Sequence, residues 1–235
     1  MARKRRGKID VDEVVPDRSI NITFHGIGTP ERDLEPGELD VWVSHDEFLS
    51  LLDHAAGLPG VTISFDDGNA SDIECALPAL RERGLRATFF VVAGRLGTPR
   101  FLDEDAIGAL SAAGMQIGCH GMRHRRWRGL DERALHEELV EAKTLLERAV
   151  GRPVTQAACP YGSYDRRVLR TLRDCGYHHV YTSDRGTARS SDFLQSRNSI
   201  GPGDGPGVLE RIAALESPTY RALGRHAKLV IKRWR

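Results

Sequence analysis

Two adjacent aspartates are the first residues in this chain that could do chemistry together. Asp66 and Asp67 directly follow the apolar run at residues 61–65. Neighbouring carboxylates repel each other when both are ionised, and a bound divalent cation relieves that repulsion while one carboxylate stays free to act as a base. Asp-Asp-Gly is also ordinary turn chemistry, so the pair by itself favours a turn or a helix cap.

A pair of histidines supplies the second candidate group. His120 and His124 are four residues apart, which places two imidazoles on one face of a helical turn, a usual spacing for metal ligands. One carboxylate with two imidazoles makes a three-ligand set that leaves positions for water and substrate. A basic surface loop is the alternative interpretation, because four arginines surround the pair: Arg123, Arg125, Arg126 and Arg128. The combination with Asp66 and Asp67 favours the metal site.

Two further polar positions follow apolar runs. Pro160-Tyr161-Gly162 comes after residues 155–158, and a turn there exposes backbone N–H groups of the kind an oxyanion hole requires. A plain strand-to-helix turn is the alternative. His25 ends the first apolar run, residues 20–24.

The elements that must position these residues alternate along the chain. The pattern predicts strands at residues 20–24, 61–65, 87–92, 115–118, 155–158, 178–182 and 194–200. It predicts helices at residues 44–54, 73–83, 103–114, 131–150 and 165–175. About seven strands alternating with helices indicate an α/β fold with a parallel sheet, and favour a (β/α) barrel. Such barrels carry their chemistry at the C-terminal ends of the strands, where each polar group described above falls.

Composition sets the limits of the protein class. The chain has 235 residues, of which 40% are hydrophobic, with a net charge of +1. This length fits one large domain, and the small net charge gives no reason to expect nucleic acid as a partner. Four scattered cysteines argue against a disulfide framework, and no apolar run suits a signal peptide or a membrane span. We therefore expect a cytoplasmic protein.

The order of the motifs resembles the polysaccharide deacetylase family, also called the NodB-homology family or carbohydrate esterase family 4. The resemblance covers roughly residues 20–200 and rests on Ser64-Phe65-Asp66-Asp67-Gly68, His120-x-x-x-His124 and Pro160-Tyr161-Gly162. It implies a deformed (β/α) barrel of seven strands that removes N-acetyl groups from amino sugars. It further implies that Asp66 is the catalytic base and that the metal ligands are Asp67, His120 and His124. It also implies that Tyr161 donates its backbone N–H to the oxyanion. We expect Zn²⁺ as the metal, with Co²⁺, Ni²⁺ or Mn²⁺ as alternatives, and substrate contacts from Pro160, Gly162 and Trp127.

The sequence departs from the family pattern in two places. Ala158 stands where many members have an arginine that orients the base, and residues 194–200 lack the histidine that supplies the general acid. His25 is the best substitute acid, because the exopolysaccharide-biosynthesis branch, which the sequence resembles, uses a residue near its N-terminus in this role.

The predicted function is a metal-dependent deacetylase that hydrolyses the N-acetyl group of an amino sugar in a polysaccharide, a glycolipid or an activated precursor, in cell-surface polysaccharide biosynthesis. A hydrolase of small non-sugar amides or imides and an inactive saccharide-binding relative are the alternatives. We expect three regions: a basic, flexible segment at 1–18, the catalytic domain at 19–216 and a basic C-terminal helix or tail at 217–235. That last region interleaves apolar and basic residues, so it suits either contact with an anionic membrane or packing on the barrel.

Overall fold

The structure is a computed structural model that describes residues 17–214. The predicted C-terminal helix or tail, and nearly all of the predicted N-terminal segment, lie outside the described residues. Among residues 17–214, none of the helices has the length and apolar character needed to cross a membrane.

The strands of the described region form one large sheet and one small parallel pair. Their bounds are β1 Ser19–Phe24, β2 Gly26–Ile27, β3 Trp42–Val43, β4 Val61–Asp67, β5 Ala87–Val91, β6 Gln116–Cys119, β7 Gln156–Ala158, β8 His179–Thr182, β9 Thr187–Ala188, β10 Leu194–Ser196 and β11 Asn198–Ser199. The large sheet has the order β10-β8-β7-β6-β5-β4-β1-β11, with parallel pairing throughout this path. The short β9 adds to β1 in the antiparallel direction, and β2 pairs with β3.

The two ends of this sheet nearly close it into a barrel. β10 pairs with β8 at one end, while β11 pairs with β1 at the other, with Ile22 opposite Asn198. Only Arg197 separates β10 from β11, so one stretch of chain serves as the seventh strand and joins both edges. The predicted barrel of about seven strands is confirmed, and the single strand predicted at 194–200 is two short strands.

Seven α-helices lie in the described region. Their bounds are α1 His45–Ala56, α2 Leu77–Glu82, α3 Glu104–Ala112, α4 Glu132–His136, α5 Ala142–Val150, α6 Arg166–Asp174 and α7 Val208–Ala214. α1 begins with a capping box formed by Ser44 and Glu47. Two predicted helices contain π-helical turns, at Asp72–Ala76 before α2 and at Glu137–Glu141 between α4 and α5. The sequence pattern did not predict α7.

The two faces of the strands differ because alternate residues point to opposite sides of a sheet. Phe65 stacks on Phe89 with ring centroids 4.6 Å apart, and both belong to the apolar core between the barrel and its helices. The opposite face carries polar side chains inside the barrel. There the buried hydroxyl groups of Thr23 and Ser64 lie 2.7 Å apart, and Ser64 donates to Asn21. A polar interior allows the ionisable site residues to enter the barrel from its C-terminal end.

Candidate metal centre

Six of the nine predicted site residues line one cleft at the C-terminal end of the barrel, with a volume of about 410 Å³. They are His25, Asp66, Asp67, His120, His124 and Tyr161. Each comes from the end of a strand or the loop after it: β1, β4, β6 and β7. Parallel strands bring residues that are far apart in sequence to one edge of the barrel, so the fold places these six residues together.

Asp67, His120 and His124 form a group that fits a divalent metal ion. One ligand atom from each residue lies within 4.8 Å of the other two. Asp67 Oδ1 lies 3.3 Å from His124 Nε2 and 3.8 Å from His120 Nε2. This buried oxygen has no hydrogen-bond partner among the described residues. A cation between the carboxylate and the two imidazoles would satisfy that oxygen, and one Asp with two His is a common donor set for such ions.

The second ring nitrogen of each histidine is already engaged. His120 Nδ1 lies 2.9 Å from the carbonyl oxygen of Ala158, and His124 Nδ1 lies 3.3 Å from the Glu35 carboxylate. Both Nε2 atoms therefore face Asp67. Burial lowers the pKa of His120 to about 4, which favours the neutral imidazole that a metal requires.

Asp66 is held by a buried arginine. Arg197 Nη1 and Nη2 donate to the two oxygens of Asp66 at 2.5 and 2.8 Å, and neither side chain is more than 4% exposed. Burial by itself would raise the pKa of Asp66. The charges of Arg197, His120 and His25 and the Arg197 hydrogen bonds outweigh burial and hold this pKa well below its usual range. The carboxylate is thus ionised and oriented, and His25 Nε2 lies 3.8 Å from its Oδ2.

Arg197 is the residue that sequence reasoning missed. The arginine expected at position 158 is absent, and Ala158 is fully buried with its carbonyl group facing His120. Arg197 reaches Asp66 instead from the break between β10 and β11. One signal was present in the sequence: Arg197 lies within the run predicted as the last strand, residues 194–200. Where such an arginine faces the barrel interior, its buried guanidinium needs an acidic partner.

Backbone strain is concentrated at this cleft. Three of the five non-glycine residues with positive φ in residues 17–214 are predicted site residues: Asp67 at 76°, His124 at 54° and Tyr161 at 55°. Left-handed conformations at such residues cost of order 1–3 kcal/mol each and cluster at functional sites.

The sequence pattern of the polysaccharide deacetylase family matches residues 55–180. The chain belongs to that family. The matched region contains Asp66, Asp67, His120, His124 and Tyr161, whereas His25 and Arg197 lie outside it.

Two relatives agree with this assignment. YxkH of Bacillus subtilis (strain 168), which is named as a polysaccharide deacetylase, is 26% identical over 145 residues, or 61% of this chain and 52% of YxkH. A chitin deacetylase of Pestalotiopsis sp is 29% identical over 118 residues, or 50% of this chain and 39% of that protein. The chain thus spans about half or less of the length of these two relatives.

Two solved structures, one of them of a deacetylase, share the barrel. PplD of Streptococcus pyogenes superposes with a TM-score of 0.72 at 19% identity, over 83% of this chain and 97% of PplD. IcaB of Ammonifex degensii gives 0.70 at 23% identity, over 83% and 96% of the two chains. These likenesses establish the fold.

Within this family member, a buried glutamate fixes the loop that carries His124. Glu138 accepts hydrogen bonds from the backbone N–H groups of Met122 and Arg123, both at 3.0 Å, and from the Trp127 indole at 3.3 Å. The π-helical turn places Glu138 against this loop. The prediction that Trp127 contacts substrate is wrong, because its side chain has no exposed surface and packs in the core.

The turn at residues 160–162 divides between buried and exposed groups. Pro160 and Gly162 are buried within the turn. Neither residue has the direct access to substrate that was predicted for it. Tyr161 is 47% exposed, and its hydroxyl group donates to Glu35 at 3.2 Å.

Asp72 is a second buried carboxylate near the site. Both its oxygens lack a hydrogen-bond partner among the described residues. Burial, followed by the negative charges of Asp67 and Asp66, raises the pKa of Asp72 well above its usual value. This carboxyl group is thereby biased toward the neutral, protonated form.

Proposed function

We propose that this chain is a metal-dependent deacetylase that hydrolyses the N-acetyl group of an amino sugar in a polysaccharide, a glycolipid or an activated-sugar precursor. The observation that carries the proposal is the pairing, in one cleft, of a three-ligand cluster with an ionised carboxylate beside it. His120 Nε2 lies 3.8 Å from Asp67 and 3.6 Å from Asp66, so the proposed ligand and the proposed base flank the same imidazole. Family membership and the chitin deacetylase relative support an N-acetylated sugar as the substrate.

The proposed metal is held by Asp67, His120 and His124. When bound there, a divalent cation supplies Lewis acidity toward the acetyl carbonyl group and lowers the pKa of a coordinated water. Zn²⁺ is our first choice for one carboxylate and two imidazoles, and Co²⁺, Ni²⁺ and Mn²⁺ accept the same donors.

Asp66 is the proposed general base. Its carboxylate accepts a proton from the attacking water as the water oxygen adds to the acetyl carbon. Arg197 keeps the carboxylate ionised at neutral pH and fixes its plane through two hydrogen bonds. The low pKa of Asp66 makes this carboxylate a modest base. A modest base suffices for a water whose own pKa would be lowered by the bound cation.

Two other groups complete the proposed mechanism. The Tyr161 backbone N–H donates to the developing oxyanion, an interaction of about 3 kcal/mol in comparable sites. The C–N bond then breaks, and His25 protonates the departing amine through Nε2, which faces Asp66. The products are acetate and a free amino sugar.

An acetate-release panel tests the proposal. The full chain is stripped of metal, refilled with Zn²⁺, Co²⁺, Ni²⁺ or Mn²⁺, and assayed on N-acetylglucosamine oligomers and on a cyclic imide. We expect acetate release from the oligomers only after refilling, with the imide unchanged. Full activity after exhaustive chelation would contradict the metal requirement, and ring opening of the imide without acetate release would favour the hydrolase of small amides.

A further inference from the structure

The loop between β2 and β3, residues 28–41, brings an acidic side chain to the proposed metal centre. The carboxylate of Glu35 lies 3.3 Å from His124 Nδ1 and accepts a hydrogen bond from the Tyr161 hydroxyl group at 3.2 Å. Its other oxygen pairs with Arg95. Glu35 lies outside the region that the family pattern matches, and it is 89 residues from His124 in sequence.

The contact with Glu35 determines which nitrogen of His124 can bind metal. A neutral imidazole carries one N–H donor and one acceptor nitrogen. A carboxylate accepts hydrogen bonds, so Glu35 favours the form with the proton on Nδ1. The Tyr161 hydroxyl group lies 3.2 Å from the same nitrogen, and because it donates its own proton to Glu35 its oxygen also acts as an acceptor there. The lone pair of Nε2 then faces Asp67 Oδ1, 3.3 Å away. A carboxylate on the outer nitrogen orients a ligating histidine and increases its basicity.

The structure also fixes Glu35 itself. Its backbone N–H donates to the buried Glu38 carboxylate at 2.8 Å, and Glu38 pairs with Arg32. Arg32 Nη2 in turn donates to Asn69 Oδ1 at 2.7 Å. Asn69 is two residues after Asp67, so this series of contacts ties the loop to the end of β4.

The same network reaches the proposed acid. Asn69 Nδ2 donates to the carbonyl oxygen of His25 at 2.8 Å. The Arg32 guanidinium lies over the Phe101 ring, 4.7 Å from its centroid, which restricts the arginine further. The loop at residues 28–41 therefore has a defined position against both His124 and the end of β1.

We propose that Glu35 is a positioning residue that orients His124 for metal binding and makes the loop at residues 28–41 part of the metal centre. The inference rests on the proposed function for the presence of a metal. Its readouts are zinc affinity and the tautomer of the neutral His124 imidazole, so it is tested separately from acetate release.

Zinc affinity of the metal-free full chain is the first test, measured by competition with a chromophoric chelator. Glu35→Ala should weaken zinc binding by about 10–100-fold, the usual cost of losing such an outer contact. Glu35→Gln keeps an acceptor oxygen and should lose less. Glu31→Ala is the matched control, because Glu31 lies on the same loop but pairs with Arg100. Its affinity should equal that of the wild type.

The tautomer of His124 is the second test, measured by nitrogen-15 NMR on the metal-free protein. The wild type should carry the proton on Nδ1, and Glu35→Ala should shift the population toward Nε2–H. Equal zinc affinity in Glu35→Ala and wild type would overturn the proposal, as would an Nε2–H tautomer in the wild type. Zinc binding with the predicted Glu35 effect, but without any deacetylation, would contradict the proposed function and leave this inference standing.

Discussion

Replacing Arg197 with methionine should destabilise the protein strongly, because it leaves the Asp66 carboxylate buried without its partner. The pair makes two hydrogen bonds, at 2.5 and 2.8 Å, and its side chains are only 2% and 4% exposed. Removing one member of such a buried pair costs about 3–5 kcal/mol. Since small domains are stable by only about 5–15 kcal/mol, the loss should be large in any unfolding experiment.

A double-mutant cycle separates the ion pair from the other packing of Arg197. The guanidinium also lies 5.1 Å from the centroid of Phe90, and methionine loses that contact in any background. In Asp66→Asn protein no carboxylate remains to be orphaned, so Arg197→Met should cost at least about 2 kcal/mol less there. Urea unfolding of the metal-free single and double variants, followed by tryptophan fluorescence, provides the four free energies.

The difference in unfolding free energy between wild type and Arg197→Met should depend on pH. In the wild type the lowered pKa of Asp66 adds stability above the unfolded-state value near 3.9, and this contribution disappears as the pH falls through the folded-state pKa. Without Arg197, burial acts in the opposite direction and raises that pKa. The advantage of wild type over Arg197→Met should therefore grow as the pH rises above about 4. Additive costs in the cycle, within about 0.5 kcal/mol, would refute the coupling.

Three further outcomes are expected. His25→Gln should lower acetate release from an N-acetyl sugar by about 10²–10⁴-fold with metal content unchanged, and should affect an aryl acetate, whose leaving group needs no proton, much less. Asp72→Asn should gain stability relative to wild type by about 1.4 kcal/mol per pH unit from pH ~4 up to the raised pKa of Asp72, because the folded wild type holds one extra proton there. Glu138→Ala should speed hydrogen exchange at the Met122 and Arg123 amides and weaken zinc binding, because both N–H groups lose their acceptor.

Each of these three predictions would be contradicted by a specific result. Equal losses on amide and aryl ester would remove the acid role from His25. A pH-independent difference between Asp72→Asn and wild type would show that this carboxyl group titrates normally. Unchanged amide exchange in Glu138→Ala would mean that other contacts hold the histidine loop.

The sequence predicted the barrel and most of the cleft because both follow from local patterns. Apolar runs mark strands, and in a parallel barrel all strand ends meet at one edge, so Asp66 and His120 could be placed together without knowing any contact. The break at Arg197 in the strand predicted at residues 194–200 could not be predicted in the same way. Which strands it joins depends on pairing between residues such as Ile22 and Asn198, which are far apart in the chain.

Two other features depend on contacts that no local pattern encodes. Glu35 lies in a loop without periodicity, and its contact with His124 exists only in the folded chain. Trp127 follows an arginine-rich segment that suggests an exposed loop, yet the buried carboxylate of Glu138 takes its indole N–H and draws the ring into the core.

The roles of Asp66 as base and Asp67 as metal ligand are tested most directly by comparing Asp66→Asn with Asp67→Asn for zinc content and acetate release. We predict that Asp66→Asn binds one equivalent of zinc and that its turnover falls by about 10²–10⁴-fold, because it lacks only the base. Asp67→Asn should lose both zinc and turnover, because it lacks a ligand. Normal turnover in Asp66→Asn, or tight zinc binding in Asp67→Asn, would contradict the assignment of base and ligand to these two neighbouring carboxylates.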